Sequence, residues 1–118
     1  MKQLFTLIAI LSLSICQGQW LKTYGSSSNE NAQAIKKTND GGYIIAGQKN
    51  SSGWLLKTDL NGDTLWSKII GNSTSPTQIY DVDQISDGSY IVGGTVGLFS
   101  PSQLLAKIDS SGDSLWLN

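Results

Sequence analysis

The sequence is built largely from an internal repeat. Residues 40–47, Asp-Gly-Gly-Tyr-Ile-Ile-Ala-Gly, recur as residues 87–94, Asp-Gly-Ser-Tyr-Ile-Val-Gly-Gly. Residues 55–66 recur as residues 105–116, and the identical pairs include Lys57 and Lys107, Asp59 and Asp109, Gly62 and Gly112, and Trp66 and Trp116. Two long matches in the same order indicate two copies of a unit of about fifty residues.

The boundaries of the units also repeat. Residues 20–25 (Trp-Leu-Lys-Thr-Tyr-Gly) correspond to residues 66–71 (Trp-Ser-Lys-Ile-Ile-Gly), and Trp116 begins a further partial copy. The spacing between matched residues widens across residues 96–102, as expected for an insertion in a surface connection. We therefore divide residues 19–118 into a closing strand, 20–25, and two units, 26–71 and 72–118.

Each unit is predicted to form four short antiparallel strands. In the first unit these are residues 32–38, 43–47, 54–59 and 64–70, joined by a turn at 39–42, a polar loop at 48–53 and a turn at 60–63. The strands are rich in β-branched and aromatic residues, and the turns contain Asp, Asn and Gly. No stretch after Gly18 keeps a helical period, so we predict an all-β fold of two four-stranded sheets.

Residues 1–18 are predicted to be a helical signal peptide rather than part of this fold. Lys2 precedes an apolar run at residues 4–15, and Cys16-Gln17-Gly18 predicts cleavage before Gln19. The run is shorter than the roughly 20 residues that span a bilayer, so we predict no membrane span. The protein is therefore expected to be secreted or held at the cell surface. Lipidation at Cys16 is the less favoured alternative, because Ile15 fits poorly before a lipidated cysteine.

Composition argues against several classes of function. The chain has no His and a formal charge of −1. Duplex-binding proteins carry a basic patch, so we predict no nucleic-acid partner. His is the commonest general base and a common metal ligand, and we predict a non-enzymatic protein with no cofactor and no metal.

The repeat pattern resembles a known family. A Trp-x-Lys-x-x-Gly strand, then Asp-Gly-Gly-Tyr-Ile-Ile-Ala-Gly at 40–47, then Asp-x-x-Gly-Asp-x-x-Trp at 59–66, is similar to the β-propeller-type repeats of bacterial secreted surface proteins. More distantly it resembles quinoprotein-type propeller blades. The resemblance covers nearly all of residues 20–116. It implies a blade-like fold, in a family whose function is largely undetermined.

Two units are fewer than such a fold normally has. Propellers close with about four to eight blades, and closure removes exposed sheet edges. Three expectations follow: a fragment of a longer protein, a ring completed between chains, or sheets that self-associate through their exposed edges.

Several motifs have a chemical and a structural interpretation. Residues 59–63 superficially resemble a calcium loop, but the Gly falls at the wrong position and residue twelve of the loop is Ile70, so we favour a hairpin turn. Asp81 and Asp83 are a pair of carboxylates on one strand face, which we expect to be solvated rather than catalytic.

The aromatic residues could form a sugar-binding platform or fill the core. Most recur with the repeat, which favours packing between the two units. Tyr80 is the exception, because its counterpart in the first unit is Gln33. Tyr80 is therefore the candidate ligand-binding residue.

These observations favour an exported, non-enzymatic repeat module that acts as a scaffold or as an interaction surface for a protein or glycan. One alternative is the remnant of a quinoprotein-like or glycan-processing propeller enzyme. Another is a carbohydrate-binding module that uses Tyr80.

Overall fold

The computed structural model describes residues 21–26, 28–71 and 74–117, and these form two four-stranded antiparallel sheets. Sheet one contains β1 (Glu30–Lys37), β2 (Tyr43–Lys49), β3 (Ser52–Thr58) and β4 (Thr64–Ile70). Sheet two contains β5 (Thr77–Gln84), β6 (Tyr90–Val96), β7 (Ser102–Ile108) and β8 (Ser114–Leu117). The all-β prediction is confirmed, and the described residues contain no helix. The predicted signal peptide lies outside the described residues.

Each sheet is a meander in which strands adjacent in the chain are also adjacent in the sheet. The turn after β1 is closed by the Thr38 amide, which donates to the Gly42 carbonyl at 2.9 Å. Gly41 has a φ of 87°, a conformation that residues with a Cβ rarely adopt. The turns expected from Asp and Gly at these positions are therefore present.

The connection between β2 and β3 is tighter than predicted. In place of a polar loop at residues 48–53, β2 continues to Lys49 and β3 begins at Ser52, and these two residues are paired. Asn50 turns the chain with a φ of 54°. Asn tolerates this left-handed conformation, so a polar sequence that resembles a loop folds into the ends of two strands.

The edge strands β1 and β5 carry matching irregularities. The register between β1 and β2 shifts between Ala32 and Ala34, and that between β5 and β6 shifts between Ile79 and Asp81. Each extra residue is a β-bulge, a feature common at sheet edges. The bulged residues are Gln33 and Tyr80, the pair that the sequence repeat aligns.

The main core lies between the two sheets. Sheet one contributes Ile44, Ala46, Leu55 and Ile70, and sheet two contributes Ile79, Val82, Tyr90, Val92, Ala106 and Ile108. Ile79 is fully buried, and its side chain lies against Gly53 of sheet one. Burial of this apolar surface, at roughly 25 cal/mol per Å², joins the two repeats into one folded body.

The two sheets use opposite faces at this interface. In the repeat, Tyr90, Val92 and Ala106 of sheet two correspond to Tyr43, Ile45 and Leu56 of sheet one. Those sheet-one residues are not in the interface, and Ile45 and Leu56 belong to a second cluster with Trp54 and Tyr24. The sheets therefore stack front to back. Sheet one meets sheet two with the face that carries Ile44 and Leu55, and sheet two meets sheet one with the opposite face of its repeat, which carries Val92 and Ala106.

The segment 21–26 lies over the outer face of sheet one through the contact of Tyr24 with this second cluster. The sequence predicts a closing strand over residues 20–25, but the structure assigns residues 21–26 to no strand. A strand needs a neighbouring strand for its hydrogen bonds, and none of the described residues supplies one here.

Candidate functional site

Tyr80 lies at the bulge of β5, where its backbone has no partner residue in the register with β6. Its side chain is 50% exposed, and the hydroxyl donates a hydrogen bond to Oε1 of Gln78 on the same strand. The extra residue of a bulge changes the direction in which side chains leave the strand. The bulge thus presents an aromatic ring at the edge of sheet two.

The connection between β6 and β7, residues 97–101, lies beside the start of β5. The Gly97 amide donates to the Pro76 carbonyl at 2.9 Å, which ties the loop to the residue before the strand. Leu98 is 65% exposed and Phe99 is 95% exposed. We call Tyr80, Leu98 and Phe99 the exposed apolar edge. Tyr80 follows Pro76 by four residues, about 13 Å along an extended strand.

The paired carboxylates of β5 are exposed, as expected. Asp81 and Asp83 lie opposite Gly93 and Ile91, on the face of sheet two that points away from sheet one. Each accepts a hydrogen bond from the backbone amide of the following residue, at 2.9 Å and 3.0 Å. Within the described part of the chain, no three acidic, His or Cys side chains are grouped so that they could hold a metal ion.

The calcium-like loops are hairpin turns. The Asp59 side chain accepts hydrogen bonds from the amides of Asn61 and Asp63, both at 2.9 Å, and Gly62 has a φ of 83°. Asp109 makes the same two bonds with Ser111 and Asp113. In each turn the carboxylate binds its own backbone, which is the usual role of Asp in such turns.

The repeated aromatic residues divide into two groups. Trp66 and Tyr90 meet edge to face between the sheets, with ring centroids 6.1 Å apart, and Trp54 is buried in the second cluster. Trp66 and Tyr90 confirm the expected packing between the two units, whereas Trp54 packs with Tyr24 on the outer face of sheet one. Trp116 is not packed between the units either, because it lies on the outer face of sheet two and is 42% exposed.

A repeated lysine–aspartate pair was missed by the sequence analysis. The Lys57 side chain is 4% exposed, and its Nζ lies 2.9 Å from Asp40 Oδ2 and donates to the Thr58 carbonyl at 2.8 Å. Lys107 and Asp87 form the same pair in the second unit at 3.1 Å. The recurrence of Lys and Asp at matched positions was the available signal.

The two aspartates of these pairs are strongly stabilised as carboxylates. Hydrogen bonds from the Thr38 hydroxyl, Lys57 and the Gly42 amide lower the pKa of Asp40 to about 2. The hydroxyl and amide of Ser89, together with Lys107, lower the pKa of Asp87 to about 2. Both aspartates sit in the turn between the first two strands of a unit, so the pairs fasten that turn to the third strand. Their role is structural.

No protein-family model matches the chain. No curated protein matches it either. Among the residues that the structure describes, no helix is long and apolar enough to cross a membrane.

Proposed function

We propose that this protein is an exported, non-enzymatic interaction module. Its two blade-like sheets form a scaffold, and the exposed apolar edge of Tyr80, Leu98 and Phe99 is the surface that binds a protein partner. The single observation that carries the proposal is the exposure of Phe99, which is 95% exposed at the tip of a loop. Exposed aromatic side chains are enriched among residues that anchor protein interfaces.

The loop that carries Phe99 has no counterpart in the first unit. Residues 97–101 connect β6 and β7, whereas Asn50 and Ser51 alone connect the equivalent β2 and β3. Repeat proteins tolerate insertions in the loops of one face, and that face is often the binding surface. Tyr80 likewise replaces a Gln at the matched bulge. Both differences between the units therefore add an exposed aromatic ring to the second unit.

The blade-like character is supported by the packing of the sheets. Front-to-back stacking of four-stranded meanders allows each unit to contact the next in the same way, as the repeats of a propeller do. Each sheet also has exposed edge strands, and unpaired strand edges favour self-association. Export is supported by the charged, apolar and small-residue regions of residues 1–18.

Glycan binding is the second candidate, and one observation favours it. The ring of Tyr80 is half exposed, and the hydroxyl of Tyr80 and the amide of Gln78 lie beside it. An aromatic face flanked by polar groups can stack on a sugar ring and bond its hydroxyls. This candidate requires Tyr80 and does not require Phe99.

An array that carries extracellular proteins and glycans tests both candidates. We expect the purified protein to bind a protein on the array, and we expect Phe99→Ser and Leu98→Ser each to weaken that binding at least tenfold, about 1.4 kcal/mol. Leu60→Ser is the matched control, because Leu60 is 62% exposed at a turn of sheet one. Glycan binding abolished by Tyr80→Ala but not by Phe99→Ser would favour the second candidate. Binding to neither class, or binding that all three Ser variants retain equally, would refute the proposal.

A further inference from the structure

We propose that the outer face of sheet one carries a docking site for the side chain of Trp20, formed by Tyr43, Leu60 and Gly62. The occupant belongs to the same chain, so Trp20 and the segment 21–26 together form an intramolecular cap on sheet one. Trp20 itself lies outside the described residues, and the inference rests on described residues that the repeat matches. It goes beyond the proposed function, because it does not involve the exposed apolar edge.

Trp66 of β4 shows how the matched tryptophan packs on the following unit. Its ring meets the ring of Tyr90 edge to face, with centroids 6.1 Å apart. Its Nε1 donates to the Ser110 carbonyl at 3.2 Å. A Cβ on Gly112 would lie 3.0 Å from Trp66 Cε3, so the indole lies directly against this glycine. An aromatic ring, a backbone carbonyl and a glycine of sheet two therefore form the site that holds the indole.

Sheet one carries the same three groups at matched positions. These are Tyr43, Leu60 and Gly62. Gly62 and Gly112 have φ values of 83° and 92°, and each donates its amide to the carbonyl of the Asp three residues earlier, at 3.1 Å and 3.0 Å. The change from Ser110 to Leu60 leaves the site intact, because the group that accepts the indole N–H is a backbone carbonyl. The site for an indole is thus present on both sheets.

The burial of Gly62 supports a side chain above it. Gly62 is buried, although Asn61 and Asp63 on either side of it are exposed. Gly112 is also buried in an exposed turn, and there the nearest atoms belong to Trp66 and to Lys68 of the preceding unit. A glycine at the tip of an exposed turn becomes buried when side chains from outside the turn lie on it.

The segment 21–26 approaches this turn as β4 approaches its counterpart. Lys22 pairs with Asp63 at 2.6 Å, and Lys68 pairs with Asp113 at 3.5 Å. The repeat matches both partners of these pairs. Trp20 precedes Lys22 by two residues, as Trp66 precedes Lys68, and side chains two residues apart in an extended chain point to the same side. Lys22 therefore directs Trp20 toward sheet one.

The residue between them agrees with this direction. Leu21 is 92% exposed, so it points away from sheet one while Lys22 contacts it. In β4 the intervening Ser67 likewise points away from sheet two, because its hydroxyl accepts a hydrogen bond from Trp54 on the outer face of sheet one. The alternation seen in β4 is therefore repeated in the segment.

The far end of the segment completes the match. Gly25 and Gly71 both have positive φ, at 144° and 90°. A Cβ on Gly25 would lie 2.3 Å from Glu30 Oε2, and one on Gly71 would lie 2.2 Å from Thr77 Oγ1. Glu30 and Thr77 are the first residues of β1 and β5. The chain thus enters both units by the same route, which fixes the position of the segment at each end.

The docked indole has a consequence for the outer face of sheet one. Tyr24 packs on the apolar cluster of this face, and Trp20 extends the cover to Tyr43. A large aromatic side chain buries about 150–250 Å². Among the described residues no further sheet lies on this face, and a repeat unit without a neighbouring sheet needs other cover for its apolar surface. The predicted cleavage before Gln19 retains Trp20, so the exported protein keeps the cap.

Nuclear Overhauser contacts in the purified protein test the docking, with Trp66 as an internal control. We expect the indole protons of Trp20 to contact the ring of Tyr43 and the Hα atoms of Gly62, as those of Trp66 contact Tyr90 and Gly112. A mixture of isotope-labelled and unlabelled chains separates contacts within a chain from contacts between chains. Contacts seen for Trp66 but not for Trp20, or contacts of Trp20 that arise only between chains, would overturn the inference.

Thermal unfolding provides a second measurement. Trp20→Ser should lower the melting temperature by about 5 °C or more, because it removes an indole packed on the sheet. Leu21→Ser is the matched control and should lower it by less than about 2 °C, since Leu21 is 92% exposed. Equal melting temperatures for the two variants would also overturn the inference. Neither measurement involves Phe99, so the array experiment tests the proposed function separately.

Discussion

The Nζ atom of Lys57 lies 2.9 Å from Asp40 Oδ2, and it is the lysine that is buried, with 4% of its side chain exposed against 56% for the aspartate. Loss of the two partners should therefore have unequal effects. Asp40→Ala leaves the buried Lys57 ammonium with only the Thr58 carbonyl as a partner. We expect the free energy of unfolding to fall by about 2 kcal/mol, which is less than for a fully buried ion pair because Asp40 is exposed. Lys57→Met removes the charge and fills the space, so we expect the free energy of unfolding to fall by less than about 1 kcal/mol.

Urea unfolding of the two variants measures this difference, and the second unit supplies the control. Lys107 is 24% exposed, so Asp87→Ala should cost less than Asp40→Ala. A larger loss for Lys57→Met than for Asp40→Ala would show that packing of the lysine chain, rather than its charge, governs stability at this site.

Stability should fall on acidification between about pH 4 and pH 2. Asp40 and Asp87 each have a pKa of about 2 in the folded protein, below the ordinary value of about 3.9. A lowered folded pKa means that the contribution is present in full above pH 4 and is lost as the carboxylates become protonated. Urea midpoints at pH 5 and pH 2.5 should show a smaller decrease for the Asp40→Asn, Asp87→Asn double variant. An equal decrease in the unsubstituted protein and the double variant would mean that other groups cause the acid sensitivity.

Two adjacent glycines of β6 should respond in opposite ways to substitution by Ala. A Cβ on Gly94 would lie 1.9 Å from the Gln78 carbonyl at the β5 bulge, so Gly94→Ala must displace backbone, and we expect a cost of about 3 kcal/mol. Gly93 has nothing within 4 Å of its Cβ position and corresponds to Ala46, so Gly93→Ala should be neutral or stabilise by about 0.5 kcal/mol. Thermal unfolding compares them, and similar melting temperatures would contradict the bulge geometry.

Removal of Ile79 should destabilise both sheets at once. Its side chain is fully buried between them, so Ile79→Ala leaves a cavity and should cost about 2–5 kcal/mol. Ile35→Ala is the control, because Ile35 is 60% exposed on sheet one and its loss should change stability by less than about 0.5 kcal/mol. Hydrogen exchange should show weakened protection in β2 and β3 as well as in β5 to β7. Changes confined to sheet two would mean that the sheets unfold independently.

Export of the full chain should release a product that begins at Gln19. Expression in a bacterial secretion host, followed by mass measurement and N-terminal sequencing, tests the predicted cleavage after Gly18. Cys16→Ser should not alter the product. A mature chain that begins at an acylated Cys16 would instead establish the lipoprotein alternative.

The strands and turns were predictable because local chemistry determines them. The β-branched runs, the Asp-Gly turns and their recurrence after residue 87 predicted four strands in each unit, close to the bounds observed. The β2–β3 connection was predicted incorrectly because polar residues such as Gln48, Lys49 and Ser52 can lie either in a loop or at the ends of two paired strands. Only the pairing of Lys49 with Ser52 in the structure distinguishes two strand ends from a loop here.

The repeat by itself determined that two similar sheets form and that Tyr80 has no aromatic counterpart. Only the tertiary structure decided which face of each sheet is buried, because alternation along a strand marks two faces without saying which one meets a neighbour. Front-to-back packing buries Tyr90 and leaves Trp116 exposed although Trp66 is packed. It also buries Lys57 beside Asp40, a pairing between residues 17 positions apart that no local pattern specifies.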